Sequence, residues 1–310
     1  SEIGFSPSEL DICVSPPWMG GLLVDRITLP EKSDIATEAK KRPPFDGTDI
    51  VLDHQVLGYI GESEKQRQAD VLLAAARNRV VLEWSALFRE IKAEPMAFDA
   101  DIFALYNAWL LVQSVAPVQE ASEGTENEEA TADAGDDDSS TSQHKALAIL
   151  SVGMQRVVVT FVVDGNFHSS REVTGASLTA FQRTLTRRAN LDADADVEAM
   201  LRSEEHWPKD DDFFRIAYRQ AATDLGSGVQ QAVQYFHSAN PGMSLSQILL
   251  CGGGARVPGL SGMLSKKLRL PVEVFDPMQQ TGFKFRKKSS VTPELGPLMA
   301  TAYGLATRRF

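Results

Sequence analysis

The chain is 310 residues long, 43% hydrophobic and 24% charged, the balance of a globular protein, and long enough for one large domain or two of ordinary size. Its longest clean apolar run, residues 71–76, falls far short of the roughly 20 residues a membrane-spanning helix needs. A formal charge of −11 argues against a nucleic-acid partner, because most of the surface would repel a phosphate backbone. The opening SEIGFSPSEL has neither the basic nor the apolar segment of a signal peptide, and Ser1 points to a processed or engineered start. Cys13 and Cys251 lie outside any Cys-x-x-Cys or Cys/His cluster, so neither a disulfide framework nor a zinc site is expected and a reducing compartment fits.

In chain order, strands are expected at residues 11–15 and 21–28, around a break made by Pro16-Pro17 and Gly20-Gly21. One short helix fits between Pro30 and Pro43-Pro44, and strands follow at 50–59 and 70–76. From Asn78, the apolar residues Val80, Val81, Trp84, Leu87, Phe88 and Ile91 recur at spacings of three and four, one face of a helix that Pro95 stops. A short strand at 96–98 leads into a second helical pattern through Ile102, Leu105, Tyr106, Trp109 and Val112. Residues 118–143 then hold nine acidic residues, no basic one and a single large aliphatic, Val118. Such a tract cannot bury enough surface to offset its ordering entropy and is expected to be a disordered, solvated loop; an acidic arm that docks on a basic partner is the functional alternative.

Three consecutive strands are expected at 146–152, 156–164 and 167–173, the last two joined through Asp164-Gly165, a strong hairpin signal. Helices fit 177–188, 192–202 and 210–237, the last weakened by Gly226 and Gly228 at about 1 kcal/mol each. A strand at 247–251, a tight turn at Gly252-Gly253-Gly254, a helix at 259–268, a strand at 272–275 and a final helix at 297–308 complete an α/β chain. The five histidines, His54, His144, His168, His206 and His237, have no metal spacing, and no nucleophile elbow is present. Phe283-Lys284-Phe285-Arg286-Lys287-Lys288 fits a solvated loop before a lipid contact, and Trp18 fits a partner-peptide anchor and a core lid equally.

The constellation with chemical content is Ile248 to Ala255, where a buried strand ends in three glycines that let backbone approach a ligand closely. The same turn can simply make a tight connection, and with no Gly-Lys-Ser/Thr following, it is not a Walker A loop. The order of three strands, a glycine at 175 opening a helix, a long helix, strand-GGG-helix and an Ala/Gly-rich C-terminal helix resembles the second half of an actin-like nucleotide-binding fold. More specifically, the chain resembles the PilM family, the FtsA-related actin-like proteins of type IV pilus assembly. Residues 29–58 (Leu29-Pro30, Pro44-Phe45 and Leu52-Asp53), 70–81, 98–108, 249–277 and 301–309 carry the likeness.

The resemblance implies an actin-like (ribonuclease H-like) two-domain α/β fold with the small FtsA/PilM-type subdomain inserted. The halves would be residues 1–117, with that subdomain at about 50–109, and 144–310, on either side of the acidic loop at 118–143. It also implies ATP with Mg²⁺ at Gly252, Gly253, Gly254 and Ala255, at Ser151, Gly153 and Gln155 of the second phosphate loop, and at Gly175. Where the family has Asp-Ile-Gly and small polar residues, this chain has Ser151-Val152-Gly153-Met154-Gln155-Arg156, which points away from hydrolysis and towards a degenerate ATPase. The family's first phosphate loop has no counterpart before Asp11, which implies weak or absent ATP binding. The function implied is a cytoplasmic scaffold, peripheral at the inner membrane. Its partners would be the cytoplasmic N-terminal peptide of a PilN-like membrane protein, held in a groove between subdomains, and pilus motor ATPases. Membrane association would be indirect. The alternatives are an actin-family ATPase completed by a preceding phosphate loop and a type II secretion L-like cytoplasmic domain, with an FtsA-like division protein behind them.

Overall fold

A computed structural model describes residues 12–16, 18, 22–41, 49–61, 67–115, 144–191, 196–284 and 292–308. Its centre is a five-stranded sheet. β6 (His144–Val152), β7 (Val157–Val163) and β8 (Asn166–Glu172) form an antiparallel meander, and β9 (Met243–Cys251) and β10 (Val272–Val274) join in parallel, in the order β10-β9-β6-β7-β8. Asp164 and Gly165 both take positive φ, 48° and 82°, so the β7–β8 connection is the two-residue turn whose twist suits a hairpin. The parallel strands are linked by crossover helices: α4 (Leu178–Ala189), α5 (Val197–Met200) and α6 (Asp212–Ala239) before β9, and α7 (Leu260–Leu268) before β10, after which comes the single turn α8 (Pro277–Gln280).

β7 reads VVVTFVV and is buried along its whole length, which requires cover on both faces. Ala148, Leu150 and Val152 of β6 point into a core shared with α4, α6 and α7. Ile149 points the opposite way, to Leu105, Ala108 and Trp109 of α3 (Asp101–Val115) and Ala300 of α9 (Ala300–Ala306). Three layers result, and each strand's period of two divides its side chains between them. Gly226 and Gly228 lie within α6 without breaking it. A Cβ on Gly226 would sit 3.1 Å from the Lys267 side chain, and one on Gly228 would sit 2.6 Å from Val173, so close packing against neighbouring elements offsets their low helix propensity.

The N-terminal part forms two smaller sheets. β1 (Ile12–Val14) pairs in parallel with β5 (Pro95–Phe98). β2 (Leu22–Pro30), β3 (Ile50–Ile60) and β4 (Gln68–Arg77) make an antiparallel sheet ordered β2-β4-β3, and α2 (Asn78–Glu90) leads from it to β5. Ile27, Leu29, Ala69, Val71 and Leu73 face α1 (Ile35–Lys40), whereas Leu22, Val24 and Leu72 face the N-terminus of α3. The expected start of the small unit at about residue 50 differs from this sheet, because β4 is central and takes β2 as its second partner from Leu22 onward. α3, expected inside the same unit, packs on the large sheet instead. The helix expected at 192–202 is described only as the single turn of α5. The acidic tract 118–143 and residues 285–288 of the aromatic-basic run lie outside the described residues.

Candidate functional site

The residues singled out around the glycine turn do come together. β6 and β9 run side by side with Ser151 opposite Cys251, so Gly153 and Gly252 leave the same edge of the sheet. Gly252 takes φ 76°, and the short helical turn Gly253–Arg256, which contains Ala255, follows. The β6–β7 turn closes on itself, Gly153 N–H donating to Arg156 O at 2.9 Å. Its Gly153 and Met154 carbonyls accept from the first amides of α4, Leu178 N–H at 2.9 Å and Thr179 N–H at 3.0 Å. Gly175, at φ 75°, turns the chain into that helix, while Gln155 and Met154 are exposed at the tip.

The protein's own packing accounts for the three glycines. A Cβ on Gly252 would meet the Val152 carbonyl oxygen at 2.8 Å, one on Gly253 would meet Leu178 at 2.7 Å, and one on Gly254 would overlap the Val152 side chain. Ser151 supplies only a hydroxyl to this edge. The two carboxylates beside the turn face a cation of the chain itself: Asp101 Oδ2 lies 3.5 Å from Arg156 Nη1, and Glu172 Oε2 lies 3.7 Å from Arg156 Nε. Burial raises the Asp101 carboxyl above its ordinary range, with the Arg156 charge acting against that. Burial likewise pushes the Cys251 thiol up to about 12. These residues do not fit a magnesium-phosphate clamp.

Two adjoining clefts lie under the small sheet. The first, of about 350 Å³, is bounded by Trp18, Phe98 and Phe103 on one side and by Val51, Leu72 and Ala76 on the other. The second, of about 960 Å³, continues past Arg26 and Tyr106 to the β7–β8 hairpin, and both are lined by Gln55, Leu72, Asp99, Phe103 and Arg308. Period-two alternation builds this trough: Val51, Asp53 and Gln55 of β3 and Leu72, Ala74 and Ala76 of β4 face it, with Asp70 of β4 on the same side.

Asp99 is the junction of the trough floor. Its carboxylate accepts from Ala100 N–H at 2.8 Å and pairs with Arg308 Nη1 at 2.6 Å. Its amide donates to Val14 O at 2.7 Å, and its carbonyl accepts from the Trp18 indole at 3.1 Å. Trp18 is 3% exposed, a core lid and not an exposed anchor. Burial raises the nearby Cys13 thiol, Asp99 adds to that, and Arg308 opposes it. Arg26 pairs with Asp70 further along, so two of the carboxylates in the trough, Asp70 and Asp99, each face an arginine, while Asp53 accepts from the His54 N–H at 2.8 Å. Among the described residues no group of three or more His, Cys, Asp or Glu is placed to hold a metal ion.

Residues 31–310 match the family described as "Type IV pilus assembly protein PilM". The chain belongs to the PilM family. The "PilM-PilN type IV pilus biogenesis complex" aligns over 92% of this chain and 76% of that one, with a TM-score of 0.65 at 21% identity, and so shares the fold. The ethanolamine utilization protein EutJ from Carboxydothermus hydrogenoformans aligns over 74% of this chain and 60% of its own, at 12% identity and a TM-score of 0.46. The activator of the 2-hydroxyisocaproyl-CoA dehydratase from Clostridium difficile, with bound ADPNP, covers 70% and 68%, at 12% identity and 0.39. At such scores neither bears on the function of a PilM-family chain. No curated protein sequence matches. The large sheet has the order expected of an actin-like half: three antiparallel strands with the next two added in parallel beside the first. What the sequence did not reveal in this PilM-family chain is the trough. Its one legible signal was Asp70 set between the apolar Ala69 and Val71 in a strand otherwise rich in apolar residues.

Proposed function

We propose that this chain is a cytoplasmic scaffold of type IV pilus assembly that holds an extended cytoplasmic segment of a PilN-like inner-membrane protein in the trough beneath the β2-β4-β3 sheet. Residues 1–117 and 144–310 serve as its two actin-like halves. The trough carries this reading: two adjoining clefts with an aromatic floor, holding the Arg26–Asp70 and Arg308–Asp99 pairs, suit an extended peptide better than a small charged substrate. No helix of the described residues is long and apolar enough to cross a membrane, and in this proposal the bound partner supplies the attachment.

The test is fluorescence anisotropy with a labelled N-terminal peptide of the PilN-like protein. Leu72→Arg, which puts a long cation where the two clefts meet, should weaken binding at least about tenfold, while Leu87→Arg on exposed α2 should leave it unchanged. Equal binding by wild type and Leu72→Arg would refute the placement.

A further inference from the structure

We propose that Arg156 stands in for a divalent cation at the edge of the large sheet, tying α3 to the β6–β7 turn and to β8 by charge, so that these elements are held together without nucleotide or metal. The inference is independent of the peptide trough. Arg156 closes the turn that the actin-like resemblance assigns to phosphate, and its guanidinium lies between carboxylates carried by two different elements. Asp101 opens α3 at 3.5 Å, and Glu172 ends β8 at 3.7 Å. The Arg156 and Asp101 side chains are 19% and 23% exposed, so solvent screens this pair much less than a surface pair.

Two further observations separate a charge role from a packing role. Both separations exceed ordinary hydrogen-bond lengths, and Arg156 Nε is buried with no hydrogen-bond partner. An orphaned donor is costly, and a fork-shaped guanidinium selected for geometry would place it better. What remains is a positive charge shared by two carboxylates, which is also what a bound magnesium ion would supply. Ser151, neutral where the family pattern has an acid, removes a ligand that a metal would need, and the fixed guanidinium repels a second cation.

Hydrogen exchange read by mass spectrometry tests this on the full chain, in Mg-ATP and in EDTA. Wild-type exchange at Phe103 to Tyr106 and at 153–157 should be the same in both. Arg156→Met, which keeps the aliphatic stem and loses the charge, should exchange about tenfold faster there while the β9 amides of Ile248 to Leu250 stay protected. Arg156→Lys, which keeps the charge, should stay within about threefold of wild type. Slower wild-type exchange in Mg-ATP would overturn the proposal even if no variant folds. So would an Arg156→Met variant that exchanges like wild type.

Discussion

Replacing Gly304 by alanine tests how α9 is seated and, through it, how the trough is floored. α9 crosses α3 with backbone against backbone: a Cβ on Gly304 would overlap the carbonyl oxygen of Ala104 and sit 2.5 Å from its carbonyl carbon. Ordinary contacts begin near 3.4 Å and the carbonyl oxygen is the worse overlap, so the helices must part by about 1.5 Å. A side chain could rotate away, but a backbone carbonyl inside a helix cannot, and Ala104 is fully buried. Overpacking of this kind costs about 1–3 kcal/mol and disturbs the Leu105 and Ala108 contacts, while alanine's helix propensity returns about 1 kcal/mol. The net destabilisation should be about 1 kcal/mol, or roughly 2 °C in melting temperature for a chain of this size. Thermal unfolding followed by tryptophan fluorescence measures it. Arg308 follows α9 and pins Asp99, so peptide affinity should fall with stability. A Gly304→Ala melting temperature equal to or above wild type would refute the close-crossing argument.

Thiol labelling at about pH 8 should leave Cys251 unmodified in the folded protein and modify it fully in denaturant. Burial pushes its thiol up to about 12, leaving about one thiolate in ten thousand, and Cys13, raised less by partial burial, should react slowly and first. His168 is held below its ordinary value of 6.5, mainly by burial and then by the Arg26 charge, so the folded state favours the neutral ring. Its contribution is fully present above that value. It is lost as pH falls below it, because the unfolded chain then takes up a proton that the folded chain refuses. Urea midpoints of His168→Gln should therefore fall less steeply than wild type between about pH 6.5 and 5, and parallel profiles would count against this placement of the ring.

The sequence by itself determined what depends on neighbours along the chain. The Asp164-Gly165 hairpin, the buried strands of the large sheet, the glycine turn after β9 and the long α6 were legible because turn chemistry and hydrophobic period act over a few residues. Only the tertiary structure decided what the glycines are for. Val152 and Leu178 pack where a Cβ on Gly252 to Gly254 would stand, and no local pattern announces which distant residue will come that close. Arg156 was visible in the sequence as a departure from a phosphate loop, but its meaning lay in Asp101 and Glu172, brought to it by α3 and β8. The trough was least legible. Alternate residues of β3 and β4 meet Trp18, Asp99 and Arg308 there, and the Asp99–Arg308 pair joins the start of α3 to the segment after α9. Period and propensity say which face of a strand is covered, and packing alone says by what.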